Sequence, residues 1–118
     1  MKSFLRYTKA VRKAILTGAL FLAIPVAPAQ AVDEEAAENL AKANRCFKCH
    51  AIDKAKKAPP YKRIAQKYKG RADAEAALIK HLSGSQSVKV EDGGDEQHEP
   101  PPVKDAELRN LVQWILTR

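Results

Sequence analysis

The sequence predicts a small all-α domain whose helices wrap around a bound group. Three observations predict it. Apolar residues recur at helical spacing in four separate segments. The stretch Cys46-Phe47-Lys48-Cys49-His50 gathers two thiols and an imidazole within a single turn of chain. Of 118 residues the first 31 read as a leader, and the 87 that remain form a thin core without a staple or cofactor.

The leader has three parts. Lys2, Arg6, Lys9, Arg12 and Lys13 make a basic start, Ala14 to Ile24 is an apolar run, and Ala29-Gln30-Ala31 is a small-x-small end. This is the layout of a secretory signal peptide cut after Ala31. The apolar run is short for a membrane span, so no anchor is expected after cleavage. No Arg-Arg pair precedes it, which favours the general secretory route and a periplasmic product. The expected organisation is therefore 1–31 signal peptide and 32–118 a single domain.

Removing the leader also removes the charge excess. The whole chain carries +7, but residues 32–118 keep 16 Lys and Arg against 14 Asp and Glu. A nucleic-acid partner loses its basis. The charges that stay are sorted along the chain: eleven bases and one acid from Lys42 to Arg71, seven acids and one base from Glu91 to Glu107. Such a dipole can orient a charged partner on approach.

The elements follow in order. Asp33 can cap a first helix, "EEAAENLAKANR", with Ala36, Ala37, Leu40 and Ala41 on one face. That helix delivers Cys46. A polar loop, "AIDKAKKAPP", ends in Pro59 and Pro60. "YKRIAQKY" is a short amphipathic helix stopped by Gly70. Asp73 can cap a third helix, Ala74 to Leu82, ended by Gly84. "SQSVKVEDGGDEQHEPPPV" reads as irregular, with a turn at Asp92-Gly93-Gly94. Its acidic run "EDGGDE" lacks the alternating pattern of a calcium loop. Asp105 can cap the last helix, with Leu108, Leu111, Val112 and Ile115 as its core stripe and Trp114 and Leu116 widening it.

Cys46 and Cys49 are spaced so that both thiols can add across the vinyl groups of one porphyrin, and His50 then lies within reach of the iron. Cys-x-x-Cys-His reads as a c-type haem attachment. A thioredoxin-like pair would want a βαβ setting, a disulfide closing so short a loop would stabilise little, and a zinc site would need a second ligand pair.

At these residues, together with "KKAPPYKRIAQKY" (56–68), "PPVKDAE" (101–107) and "LVQWIL" (111–116), the chain resembles the class I c-type cytochromes, the small periplasmic cytochromes c of bacteria. The resemblance covers nearly all of residues 33–118. It implies the class I cytochrome c fold around one covalent haem c. It also implies that the Pro59 carbonyl accepts a hydrogen bond from His50, orienting the proximal iron ligand and raising its basicity. Family members carry Gly before this proline, where this chain has Ala58.

The family places a methionine in the loop before the last helix as the second axial ligand. The only methionine here is Met1, within the leader. His98, in "EQHEPPPV", stands about as far before Val103 as that methionine does before the matching aliphatic residue, and is the expected distal ligand. Pro100 to Pro102 stiffen the loop just beyond it. His81, near the end of a helix, is expected to cap carbonyls instead. Lysine ligation or an open site are the other possibilities. A second imidazole in place of a thioether lowers the potential.

The expected function is single-electron transfer between periplasmic redox proteins, with no enzymatic step. Tyr61, Ile64, Tyr68, Leu78, Leu111 and Trp114 are the candidate haem shell. Lys48, Lys54, Lys56 and Lys57 are the candidate docking patch for an acidic partner. The alternatives are a displaceable distal site that binds a small gas, or a haem subunit of a periplasmic dehydrogenase.

Overall fold

The computed structural model describes residues 30–118, so the expected leader, as far as Ala29, lies outside the described residues. Four helices carry the fold: α1 (Glu34–Ala43), α2 (Tyr61–Tyr68), α3 (Ala74–Leu82) and α4 (Asp105–Leu116). A single 3-10 turn, Cys46–Lys48, follows α1. A two-stranded antiparallel sheet, β1 (Gln86–Lys89) and β2 (Asp95–His98), precedes α4. Among the described residues no helix is long and apolar enough to cross a membrane.

α4 is the element the others pack on, touching α1, α2 and α3. Its apolar stripe explains this, for Leu108, Leu111, Val112, Trp114 and Ile115 are all buried. α1 meets it with Ala37 and Ala41, both fully buried. Alanines present no bulk, so the two helix backbones can approach closely. Polar contacts then fix where along α4 the first helix sits. The Asn110 amide accepts from the Asp33 backbone N–H at 2.9 Å and donates to the Asp33 carbonyl at 2.9 Å. Arg118 pairs with Glu34 at 3.0 Å while its guanidinium lies over the Trp114 ring, 4.9 Å from the centroid.

Asp33 caps α1 as the sequence suggests, accepting from the Ala36 N–H at 3.0 Å. The other two expected caps differ. Asp73 holds the position before α3 but accepts no helix N–H, because its carboxylate is taken by Arg71 at 2.7 and 2.9 Å. Asp105 is already helical. Lys104 precedes the helix, and the Glu107 carboxylate reaches back to accept from its N–H at 3.0 Å.

The larger correction is at 86–98. The segment read as irregular forms a hairpin, with Gln86 opposite His98 and Lys89 opposite Asp95. The turn at Asp92-Gly93-Gly94 closes it: Val90 N–H donates to Gly94 at 3.0 Å, and Gly93 adopts φ +84°, a backbone region that favours glycine. Ser87-Val88-Lys89-Val90 alternates polar and apolar residues and does carry a strand signal. Asp95-Glu96-Gln97-His98 carries none, and only pairing to β1 makes it a strand. The fold is otherwise the expected helical one.

Trp114 is 1% exposed and meets Tyr61 and Phe47 edge to face, with ring centroids 5.3 and 6.4 Å apart. Trp114→Ala should cost about 3–5 kcal/mol by leaving a cavity. Denaturant titration of the haem-loaded protein should show this as a lower midpoint at unchanged slope.

Candidate functional site

The chain leaves α1 through Arg45, a non-glycine residue in the left-handed region at φ +58°. That reversal turns Cys46 and Cys49 inward. The polar loop after them folds back on itself. Ala58 N–H donates to the Cys49 carbonyl at 3.0 Å, Tyr61 N–H to Ala51 at 2.9 Å and Lys62 N–H to Ile52 at 2.9 Å. These bonds bring Pro59 beside His50. The His50 Nδ1 donates to the Pro59 carbonyl at 2.7 Å. The proton is therefore on Nδ1, and the lone pair on Nε2 is left available to a metal. The imidazole is also stacked on Tyr61, centroids 5.1 Å apart and planes within 13°. Burial pushes His50 below the usual histidine range, the Pro59 hydrogen bond opposing, so the ring stays neutral as a ligand must. Burial likewise raises the Cys46 thiol, with the Tyr61 hydroxyl opposing, and burial raises the Tyr61 phenol.

A cavity of about 270 Å³ opens over this segment. Cys46, Cys49 and His50 form part of its wall, and Tyr61, Ile64, Leu78, Leu82, Leu111 and Ile115 give it apolar sides. Val88 and Val90 of the hairpin line it as well, with Gln97, His98 and Pro101. Two of the six expected shell residues stand elsewhere. Trp114 packs behind Tyr61 and Phe47 in the core, and the cations of Lys67 and Arg71 stand over the Tyr68 ring at 5.8 and 4.8 Å. The hairpin valines take their place. Their segment carries no helical periodicity, and the one signal that announces them is their alternation with Ser87 and Lys89.

Both remaining histidines border the cavity. Their rings are 4.9 Å apart at 46°. His98 is only partly exposed, and its Nδ1 is buried with no hydrogen-bond partner. A buried polar atom without a partner costs free energy unless a ligand satisfies it. His98 is lowered below the usual histidine range chiefly by burial, with His50 adding to the effect. His81 is lowered by burial and by His98. The His81 imidazole does not cap helix carbonyls. Gln86 does so, donating its amide to the His81 carbonyl at 2.7 Å. The group implied by the cysteine spacing fits these residues: two thiols, a neutral imidazole and an orphaned imidazole nitrogen share one cavity with apolar walls.

Of the four lysines expected to dock a partner, two are engaged. Lys56 Nζ donates to the Phe47 carbonyl, and Lys57 pairs with Glu96 of β2 at 3.2 Å. The hairpin is also joined there by Glu91 N–H donating to the Lys57 carbonyl at 2.9 Å. Lys48 and Lys54 are exposed, as is Arg45; Lys48 and Arg45 stand at the rim of the cavity.

The family model described as "Cytochrome c" matches residues 34–118. The class 1 cytochrome MtoD from Sideroxydans lithotrophicus ES-1 has a similar structure, at 47% identity and a TM-score of 0.71, covering 74% of this chain and 97% of that one. Wild-type cytochrome c552 from Nitrosomonas europaea superposes with a TM-score of 0.55 at 34% identity, over 68% of this chain and 96% of its own. Cytochrome c-551 of Pseudomonas aeruginosa is 38% identical over 91 residues, 76% of this chain and 84% of its own length.

Proposed function

Because this chain belongs to the cytochrome c family and carries one covalently attached haem c, we propose that it is a periplasmic single-electron carrier with histidine on both axial sides of the iron. Like its relatives it is an electron carrier rather than an enzyme. The observation that carries the axial assignment is the buried, partnerless Nδ1 of His98 in the same cavity as Cys46, Cys49 and His50.

The residues take these roles. Cys46 and Cys49 would hold the porphyrin by two thioether links. His50 is the proximal ligand, oriented and made more basic by Pro59. His98 is the distal ligand. When bound, the haem iron supplies a one-electron couple, and imidazole in place of a thioether favours its oxidised form. The apolar wall of Tyr61, Ile64, Leu78, Leu111 and Ile115 would keep water from the part of the ring it faces. The leader layout supports export through the general secretory route. Periplasmic extract should yield a protein that starts at Val32, carries the mass of one haem and titrates reversibly with one electron. A colourless product with free thiols would end this reading.

The partners are redox proteins with an acidic docking surface. Lys48 and Arg45 stand at the cavity rim and Lys54 is exposed, and electron-transfer interfaces are small and weak. Transfer to such a partner should slow steeply as salt shortens the screening length from about 30 Å at 0.01 M to about 3 Å at 1 M. Rates that ignore ionic strength would remove the basic patch from the account.

A further inference from the structure

His81 and His98 both border the cavity, yet one axial position remains after His50. Gln86 distinguishes them. It stands directly opposite His98 in the hairpin, and its side-chain nitrogen lies 2.7 Å from the His81 carbonyl oxygen and 3.0 Å from His81 Nδ1. A carbonyl oxygen only accepts, so the Gln86 atom facing it is the NH₂ group, and the orientation of the amide is fixed. One hydrogen of that group goes to the carbonyl. The other points to His81 Nδ1, which must accept it. A neutral imidazole has one ring proton, so that of His81 sits on Nε2. The Nδ1 lone pair is spent on Gln86, and Nε2 presents hydrogen in place of a lone pair. Neither nitrogen of His81 has an electron pair to offer a metal. His98 is under no such restraint, since its Nδ1 has no partner.

We propose that Gln86 selects the distal ligand: by holding His81 in a non-ligating tautomer, it leaves the iron to His98. Gln86 is thus a positioning residue, acting through His81 without touching the metal. The proposal rests on the reading of His98 as distal ligand, and the test separates the two.

The test uses the exported, haem-loaded protein and reads the oxidised optical and electron-resonance spectra, with carbon monoxide binding to the reduced form. His98→Ala alone should lose the low-spin spectrum and bind carbon monoxide, because His81 stays withheld. Adding Gln86→Ala frees His81 Nδ1 and makes the ligating tautomer available. Adding Gln86→Glu goes further, since a carboxylate accepts from Nδ1–H and leaves the lone pair on Nε2. Both double variants should regain a bis-imidazole low-spin spectrum, Gln86→Glu more completely, and His81→Ala should abolish it again. Gln86→Ala with His98 intact should keep the wild-type spectrum and shows that the domain still folds. The proposal is overturned if neither double variant differs from His98→Ala. It is equally overturned if His98→Ala stays low-spin until His81 is also replaced, for then Gln86 withholds nothing. If the spectrum survives loss of both histidines, the distal assignment itself is wrong.

Discussion

Replacing both Cys46 and Cys49 by alanine should yield a colourless chain that is largely unfolded. The argument comes from which residues make the core. Among the described residues eleven apolar side chains are buried, and five of them, Tyr61, Leu78, Val90, Leu111 and Ile115, also line the cavity. In the loaded protein the bound group covers their inner sides. Without it, the cavity that these five line has nothing to fill it. Burying a few hundred Å² of porphyrin should contribute on the order of 10 kcal/mol, which is as large as the whole stability of an ordinary domain. Once both thioether links are gone, loading depends on free haem by mass action. The single variants should each keep one link and remain coloured, with a lower unfolding midpoint. Helical circular dichroism and haem absorbance, measured together on the four proteins, decide the matter. A double variant that stays fully helical while colourless would show that the polypeptide core suffices alone.

Most of the helical frame is legible in the sequence because each helix carries a periodic apolar face, and α2 and α3 also have a glycine or proline boundary. Two kinds of feature are not. The first depends on competition among near neighbours. Asp73 and Asp105 look like caps locally, yet Arg71 takes the first and Glu107 takes over the role of the second. The second is induced structure. β2 has no apolar alternation of its own, so nothing local announces the second strand of the hairpin, which places His98 opposite Gln86. The cysteine segment and His50 could be read from spacing alone because a few covalent bonds define their geometry. The hydrogen bond from His50 to Pro59 spans nine residues, and the resemblance to a family pointed to it. Sequence could identify His98 as a candidate only by counting methionines and positions. Its neighbour His81, and the amide that distinguishes the two, required coordinates.

His98→Met should raise the reduction potential by on the order of 100 mV, within the about 0.8 V that axial ligands command. A thioether is a weaker donor than imidazole and so stabilises the reduced iron relative to the oxidised. For a one-electron couple each 59 mV is about tenfold in the equilibrium constant, so the balance between oxidised and reduced protein should move by more than an order of magnitude. The backbone around position 98 favours a clean exchange. It is held on one side by pairing to Gln86 and followed on the other by Pro100, Pro101 and Pro102, which limit how far the segment can drift. Methionine is unbranched and adaptable enough to fill the vacated space. Charge-transfer absorption of sulfur-ligated ferric iron should appear together with the new potential. If potential and spectrum both stay at their wild-type values, position 98 does not face the iron, and the distal assignment must pass to another side chain.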